Sequence, residues 1–443
     1  MSFRTYIKRL ADDGKLITIT EPIGTDFEIS GVLKEFEPRP VMFESIHGSE
    51  FRAVGNIFPT KASFAEYFGY EIKEIIPALL SAIDKPSSPE LVAEGACQEV
   101  VFVKPDLNQL PILRHFENDG GRYITSGVIV ARHPAHGQNL DFHRCMQVSN
   151  TEMAMRVVKG RHFDAFLEDL RQVDVAICVG CGPNVLAAAA TSVDKGIDEL
   201  GIANALEPLE VVRAKTVDLM IPADTEFVLE GTVYADQRLA EGPFVDLTET
   251  QDVVRDEPLF KVKAITHRKD AIWQALLPGG LEHKLLMGMP REPTIYKSVN
   301  QVVSCLDVNV NPGGASWLHA IIKIDKQSPD DGKRAIQAAF EGHSSCKHVF
   351  VVDEDIDIYN PLEVEWALAT RFQGDDDMYV KEKERGSSLD PSADLGMHLT
   401  TKIGFDLTKP IGEAGKPYEK VAYPQVDVGR FVVGRIRDDI ERR

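Results

Sequence analysis

Glu241 and Asp246 bracket the turn-forming dipeptide Gly242–Pro243 in the stretch AEGPFVDLTE. A turn there can aim both side chains at one pocket. Two carboxylates held together push their proton affinities apart, which yields one acid and one base. The competing reading is a solvated acidic turn, because acidic pairs are common on surfaces. Arg144 is a second candidate, following His143 among the apolar neighbours of HGQNLDFHRCMQV. An arginine in an apolar strand needs a partner, since an unpaired buried charge is costly. Asn139 lies five residues earlier and would face the opposite side of a regular strand. The two share a site only if Asn139 sits in the preceding turn or a bulge intervenes. Otherwise the segment is an edge strand with Arg144 in solvent.

Asn139, His162 and Glu199 offer an amide oxygen, an imidazole and a carboxylate, a donor set that suits Mn2+ or Mg2+. They have no ligand spacing, and a lone His at a helix start is usually structural. His283 and Arg291 stand eight residues apart. If LEHKLLMG is helical, they lie on roughly one side, two turns apart, and together could grip an anion. The alternative has Arg291 capping a helix end and His283 packed in the core. Cys178 and Cys181 form a single CxxC whose first cysteine sits in an apolar strand, so burial as small hydrophobes is the preferred reading. Gly313–Gly314 has no phosphate-loop pattern, and there is no GxSxG elbow.

The elements that must position these groups fall into three sections. Residues 1–95 read as a small α/β unit: an amphipathic helix over residues 3–12 stopped by Gly14, short strands in LITIT, RPVMFES and FRAVGNI, and helices in FAEYFG and EIIPALLSAI. Residues 96–302 hold many short strands with few long helices, which predicts a barrel-like domain. Residues 303–443 alternate apolar strands with the helical KRAIQAAFEG, an α/β pattern. The Gly-, Pro- and Asp-rich tail after residue 372 reads as loop with short helical pieces that could wrap a neighbour.

The chain has 443 residues and a net charge of -20, which argues against nonspecific nucleic-acid or anionic-membrane binding. An anionic substrate would then need a local basic site. No segment approaches the roughly 20 apolar residues of a membrane span. The N-terminus is not a secretory signal, and six cysteines do not suggest a disulfide scaffold. These features predict a cytoplasmic protein.

The motifs NLDFHR (139–144), GRHF (160–163), KGIDE (195–199), EGPFVD (241–246), CKHVFVVDEDIDIYNPLEVEWALATR (346–371) and TKIGFDLTKP (401–410) resemble, in this order, the UbiD family of decarboxylases. The resemblance covers residues 5 to 420. It implies an α+β fold: an N-terminal α/β unit, a central flavin-reductase-like split β-barrel and a C-terminal α/β oligomerisation domain. It further implies prenylated FMN, supplied by a flavin prenyltransferase, and Mn2+ (or Mg2+) held by Asn139, His162 and Glu199, with K+ as a further candidate ion. By the same resemblance Lys347 meets the cofactor phosphate, and Thr125 and Ser126 pack against the flavin. Arg144, Glu241 and Asp246 match the catalytic trio, with Arg144 orienting the substrate carboxylate and Asp246 donating the proton. One departure is that Asp246 stands where ferulic acid decarboxylase has a longer Glu.

The implied reaction is reversible, non-oxidative decarboxylation of a small unsaturated or heteroaromatic acid by a homo-oligomer, dimer or hexamer. With His283 and Arg291 holding a second anion, furan-2,5-dicarboxylate is the favoured substrate. The rival is trans-anhydromevalonate 5-phosphate, the substrate of an archaeal subgroup. A non-catalytic flavin-binding subunit of a carboxylase complex is a third reading, and retention of all six metal and catalytic positions argues against it.

Overall fold

The computed structural model describes residues 2–394 and 396–427; the end of the third section, 428–443, lies outside the described residues. Ser2 accepts the Thr5 N–H to start the helix Phe3–Asp12, whose buried face is Phe3, Tyr6, Ile7 and Leu10. Four short strands form the N-terminal sheet in the order Ile17–Ile19, Val41–Phe43, Arg52–Gly55 and Ile272–Gln274. The last comes from the middle of the chain and runs parallel to its neighbour, Ile272 opposite Arg52. It ties the segment before the helix Leu281–Gly288 to the N-terminal unit. Glu282 on that helix is fully buried, where burial pushes its carboxyl up to about 7. It accepts the Ile57 N–H at 3.1 Å and Gln274 Nε2 at 3.2 Å.

The middle of the chain folds into a nine-stranded sheet whose pairs are all antiparallel. Tyr123–Ile124 lies at one end of its path and Val128–His133 is next to last at the other, before Gly137–Phe142. Only residues 125–127 join these two strands, a span of at most about 14 Å. The sheet therefore curls until its ends approach, which gives the barrel-like form expected, although strand pairing does not close a ring among the described residues. Thr125 and Ser126 occupy the gap between the ends. The inner core is built from residues such as Ile129, Ile177, Phe227, Phe260 and Trp273. The Ala-rich helix Pro183–Ala190 belongs to a second core shared with the N-terminal helices.

The third unit is a five-stranded mixed sheet in the order Ser304–Asn309, His319–Asp325, His348–Val352, Leu399–Asp406 and Met378–Arg385. The helices Asp331–Gly342 and Glu292–Asn300 contribute to the core on one face, and Pro361–Arg371 covers another cluster. Two of these strands overturn the reading of the tail as loop with helical pieces. Met378–Arg385 is almost wholly exposed and carries no apolar alternation, so its strand conformation comes from pairing with Leu399–Asp406 rather than from its own pattern.

Candidate active site

The strand that carries Arg144 breaks at the residues that matter. Gly137–Phe142 pairs with Val128–His133, whereas Cys145–Gln147 pairs with Glu152–Met155 and Tyr123–Ile124. His143 and Arg144 fall between, where the strand changes partners. Strict alternation is lost there, which is the interruption needed for Asn139 and Arg144 to share a region. His143 is buried, with Nε2 3.1 Å from Asp141 and Nδ1 2.9 Å from the Arg156 carbonyl. Burial alone would keep it neutral, but Asp141 outweighs that and holds it above its ordinary value.

The long strand Phe227–Glu241 delivers Glu241 to the same place. Gly242, at φ +100, and Pro243 then reverse the chain into a small hairpin, Phe244–Val245 against Gln251–Asp252. A Cβ at Gly120 would come within 2.0 Å of the Gly242 carbonyl oxygen, so the two backbones meet there only because position 120 is glycine. Arg144 binds three carboxylates. Its Nε and Nη2 hold Glu241 at 2.8 and 3.0 Å, Nη1 holds Asp246 at 2.8 Å, and Nη2 reaches Asp252 at 2.9 Å. Its guanidinium carbon lies 4.6 Å over the Phe244 ring. Glu241 is completely buried and Asp246 partly open, with 21% of its side chain exposed. Burial would raise Asp252, but the hydrogen bond from Arg255 and the charge of Arg144 hold it below the ordinary range. Four of the five Arg144 N–H donors are thus engaged, leaving one on Nη1 for a substrate carboxylate.

His283 lies within electrostatic reach of Asp246 and Arg144. Its Nδ1 accepts the Gly279 N–H at 3.0 Å, which leaves the other ring nitrogen to carry a proton. Burial pushes the ring toward neutrality, against the nearby Asp246 charge. Arg291 follows it by eight residues. That guanidinium lies 5.3 Å over Trp317 and donates to Ser192 Oγ.

Asn139 and His162 are brought together, with Oδ1 3.2 Å from Nδ1. Glu199 opens the helix Glu199–Leu206 behind the capping Asp198 and accepts the Leu140 N–H at 2.9 Å. Burial pushes its carboxyl up to about 8. The Asn139 amide nitrogen is buried without a partner. An acid that can ionise there only with help, beside an imidazole and an amide oxygen, fits a divalent cation. Among the described residues no three His, Cys, Asp or Glu side chains converge, and this set includes an amide.

Ser126 Oγ donates to the Gln274 carbonyl and Thr125 Oγ1 to that of Leu276, each at 2.7 Å. Both hydroxyls thus fasten the sheet edge to the N-terminal unit. Lys347 pairs with Asp390 at 2.8 Å in the C-terminal unit. All six cysteines are free and buried, as the hydrophobe reading of CxxC expects. Asp252 was missed in the sequence, although its position eleven residues after Glu241 in one acidic stretch was the available signal. Tyr123, whose buried hydroxyl lies beside Glu241 and is pushed upward by burial first and then by that charge, gave no signal.

Three family models described as 3-octaprenyl-4-hydroxybenzoate carboxy-lyase domains match the chain in turn: N-terminal at 7–83, Rift-related at 90–281 and C-terminal at 284–407. The chain belongs to the UbiD family and is a carboxy-lyase of that type. It is 39% identical to the anhydromevalonate phosphate decarboxylase of Methanothermobacter thermautotrophicus, over 93% of this chain and 98% of the relative. The enzyme of the same name from Methanosarcina mazei is 40% identical, over 96% and 100%. Among solved structures, the UbiD-class enzyme HmfF from Pelotomaculum thermopropionicum, in complex with FMN, superposes with a TM-score of 0.94 at 31% identity, covering 98% of this chain and 100% of that one. Furan-2,5-dicarboxylate as the leading substrate is not supported by these relatives. Among the described residues no helix is long and apolar enough to cross a membrane.

Proposed function

We propose that the chain removes carbon dioxide from trans-anhydromevalonate 5-phosphate, or a close phosphorylated unsaturated acid, with prenylated FMN as cofactor. The observation that carries the reading is Arg144 gripping Glu241, Asp246 and Asp252 near a half-buried His283. Within a carboxy-lyase fold this arrangement orients a carboxylate and keeps an acid at hand. The bound flavin would supply the electron sink for loss of carbon dioxide. A divalent cation, Mn2+ or Mg2+, would be held by Asn139, His162 and Glu199, and with Lys347 would anchor the flavin phosphate, while Thr125 and Ser126 pack along the ring.

The chain's own residues do the rest. The free Arg144 N–H takes the substrate carboxylate, and Glu241 fixes the guanidinium plane by a two-point contact. Asp246, on the open side of the network, delivers the proton that replaces the lost carboxylate. Neutral His283 stays within electrostatic reach of Asp246, and Arg291 would meet the remote end of the substrate. A flavin prenyltransferase would supply the cofactor, in the cytoplasm, to a homo-oligomer.

Co-expression with a flavin prenyltransferase tests the reading. The purified protein should carry a modified-flavin absorbance and release carbon dioxide from the phosphorylated acid. Protein made without the transferase should not. Equal release from both preparations contradicts the cofactor assignment.

A further inference from the structure

Continuing the register of Cys145 opposite Met155 puts Arg144 opposite Arg156. In an antiparallel ladder such a pair exchanges two backbone bonds. One of them is made, from the Arg156 N–H to the Arg144 carbonyl at 3.0 Å. At the return position the Arg156 carbonyl accepts instead from Nδ1 of the His143 ring, at 2.9 Å. A side chain thus stands in for the backbone where the strand changes partners, and it belongs to the residue directly before Arg144. The ring is held on its other sides as well. Its Nε2 lies 3.1 Å from Asp141 Oδ2 in an ion pair, with 4% of the side chain exposed, and its centroid is 5.1 Å from that of Phe163.

Arg156 is itself anchored. Its Nη1 donates to Glu257 Oε1 at 2.9 Å, and Glu257 Oε2 accepts the Val157 N–H at 3.1 Å. Glu257 is buried in the strand Arg255–His267, which pairs with the strand that ends at Glu241, Leu239 opposite Glu257 and Glu241 opposite Arg255. The backbone of Arg144 and that of Glu241 are therefore both referred to one strand, and the His143 ring is a link in the Arg144 branch. The two-point grip of Arg144 on Glu241, at 2.8 and 3.0 Å, survives only while those two backbones keep their spacing.

We propose that His143 is a positioning residue for the decarboxylation: by holding the Arg156 carbonyl through Nδ1 it sets Arg144 in register with Glu241. It rests on the role given to Arg144 above. The atom that matters is Nδ1. An asparagine amide nitrogen can take the place of Nδ1, whereas a glutamine places its amide nearer to where Nε2 lies.

Variants of the flavin-loaded enzyme, assayed as carbon dioxide release from trans-anhydromevalonate 5-phosphate, test it. His143→Leu and His143→Gln should each lower kcat tenfold or more, with KM within threefold and flavin retained. His143→Asn should stay within threefold of wild type, although it loses the ring against Phe163 as His143→Leu does and should melt at a similarly reduced temperature. In an Arg144→Lys background, His143→Leu should add less than a threefold further loss, because the effect passes through Arg144. Hydrogen exchange of the Arg156 amide in flavin-free protein gives a readout without turnover: faster than wild type in His143→Leu and His143→Gln, unchanged in His143→Asn. Equal losses in all three variants, following the melting temperature, overturn the proposal, and so does a full tenfold loss on top of Arg144→Lys. If the wild type releases no carbon dioxide from this acid, the substrate reading falls separately, and the order of the exchange rates decides the role of His143.

Discussion

Replacing Arg144 by Lys should disable the enzyme without removing the positive charge. Arg144 makes four hydrogen bonds of 2.8 to 3.0 Å to three carboxylates, with only 9% of its side chain exposed. Hydrogen bonds to charged groups contribute about 1.5–3 kcal/mol each. A lysine ammonium cannot grip Glu241 at two points and still reach Asp246 and Asp252. Losing two of the four bonds therefore costs about 3–6 kcal/mol, of which part returns through solvent at the partly open Asp246. At about 1.4 kcal/mol per decade, a loss of about 3 kcal/mol lowers kcat/KM roughly a hundredfold. Arg144→Met is harsher, because it leaves Glu241 buried and unpaired at a cost of about 3–5 kcal/mol, and it should lower the melting temperature as well. Steady-state carbon dioxide release and thermal melts of flavin-loaded protein give both readouts. An Arg144→Lys enzyme within threefold of wild type would refute the argument that the two-point grip positions the site.

Other consequences follow from single side chains. Asp246→Asn should keep its flavin and lose turnover by about 10²–10⁴-fold, measured as single-turnover carbon dioxide release. In metal-free protein, burial raises Glu199 from an ordinary 4.5 to about 8, so its contribution to stability is full below pH 4.5 and is lost as pH rises toward 8. Melts from pH 5 to 8 should show that loss, on the order of 4 kcal/mol at most, and saturating Mn2+ should restore it by requiring the ionised form. Glu199→Gln should abolish both responses. Gly120→Ala should push the Glu241–Asp246 turn out of place at a cost of about 1–3 kcal/mol, visible as a drop of tenfold or more in kcat/KM with flavin retained.

The sequence carried most of the site because its parts sit in contiguous motifs with unusual content. The turn at Gly242–Pro243 does aim two acids at one guanidinium, and Asn139 meets His162, a pair that only the family resemblance had put together. Other parts are set by geometry that no local pattern encodes. The partner change at His143–Arg144 depends on which strands flank it. The third carboxylate, Asp252, arrives through a hairpin that pairs it with Phe244. Helical spacing relates His283 to Arg291, but the contacts of Arg291 with Trp317 and Ser192, made from the turn that follows the helix, come from parts of the chain far away in sequence. The strand Met378–Arg385 was illegible because it is an exposed edge with no buried face to impose alternation.

The most direct test offers the flavin-loaded enzyme an equimolar mixture of carboxyl-13C-labelled trans-anhydromevalonate 5-phosphate and furan-2,5-dicarboxylate, and follows both by 13C NMR. The account predicts that label leaves the phosphorylated acid as carbon dioxide while the furan signal persists. Loss of the furan signal with the phosphorylated acid intact would contradict it.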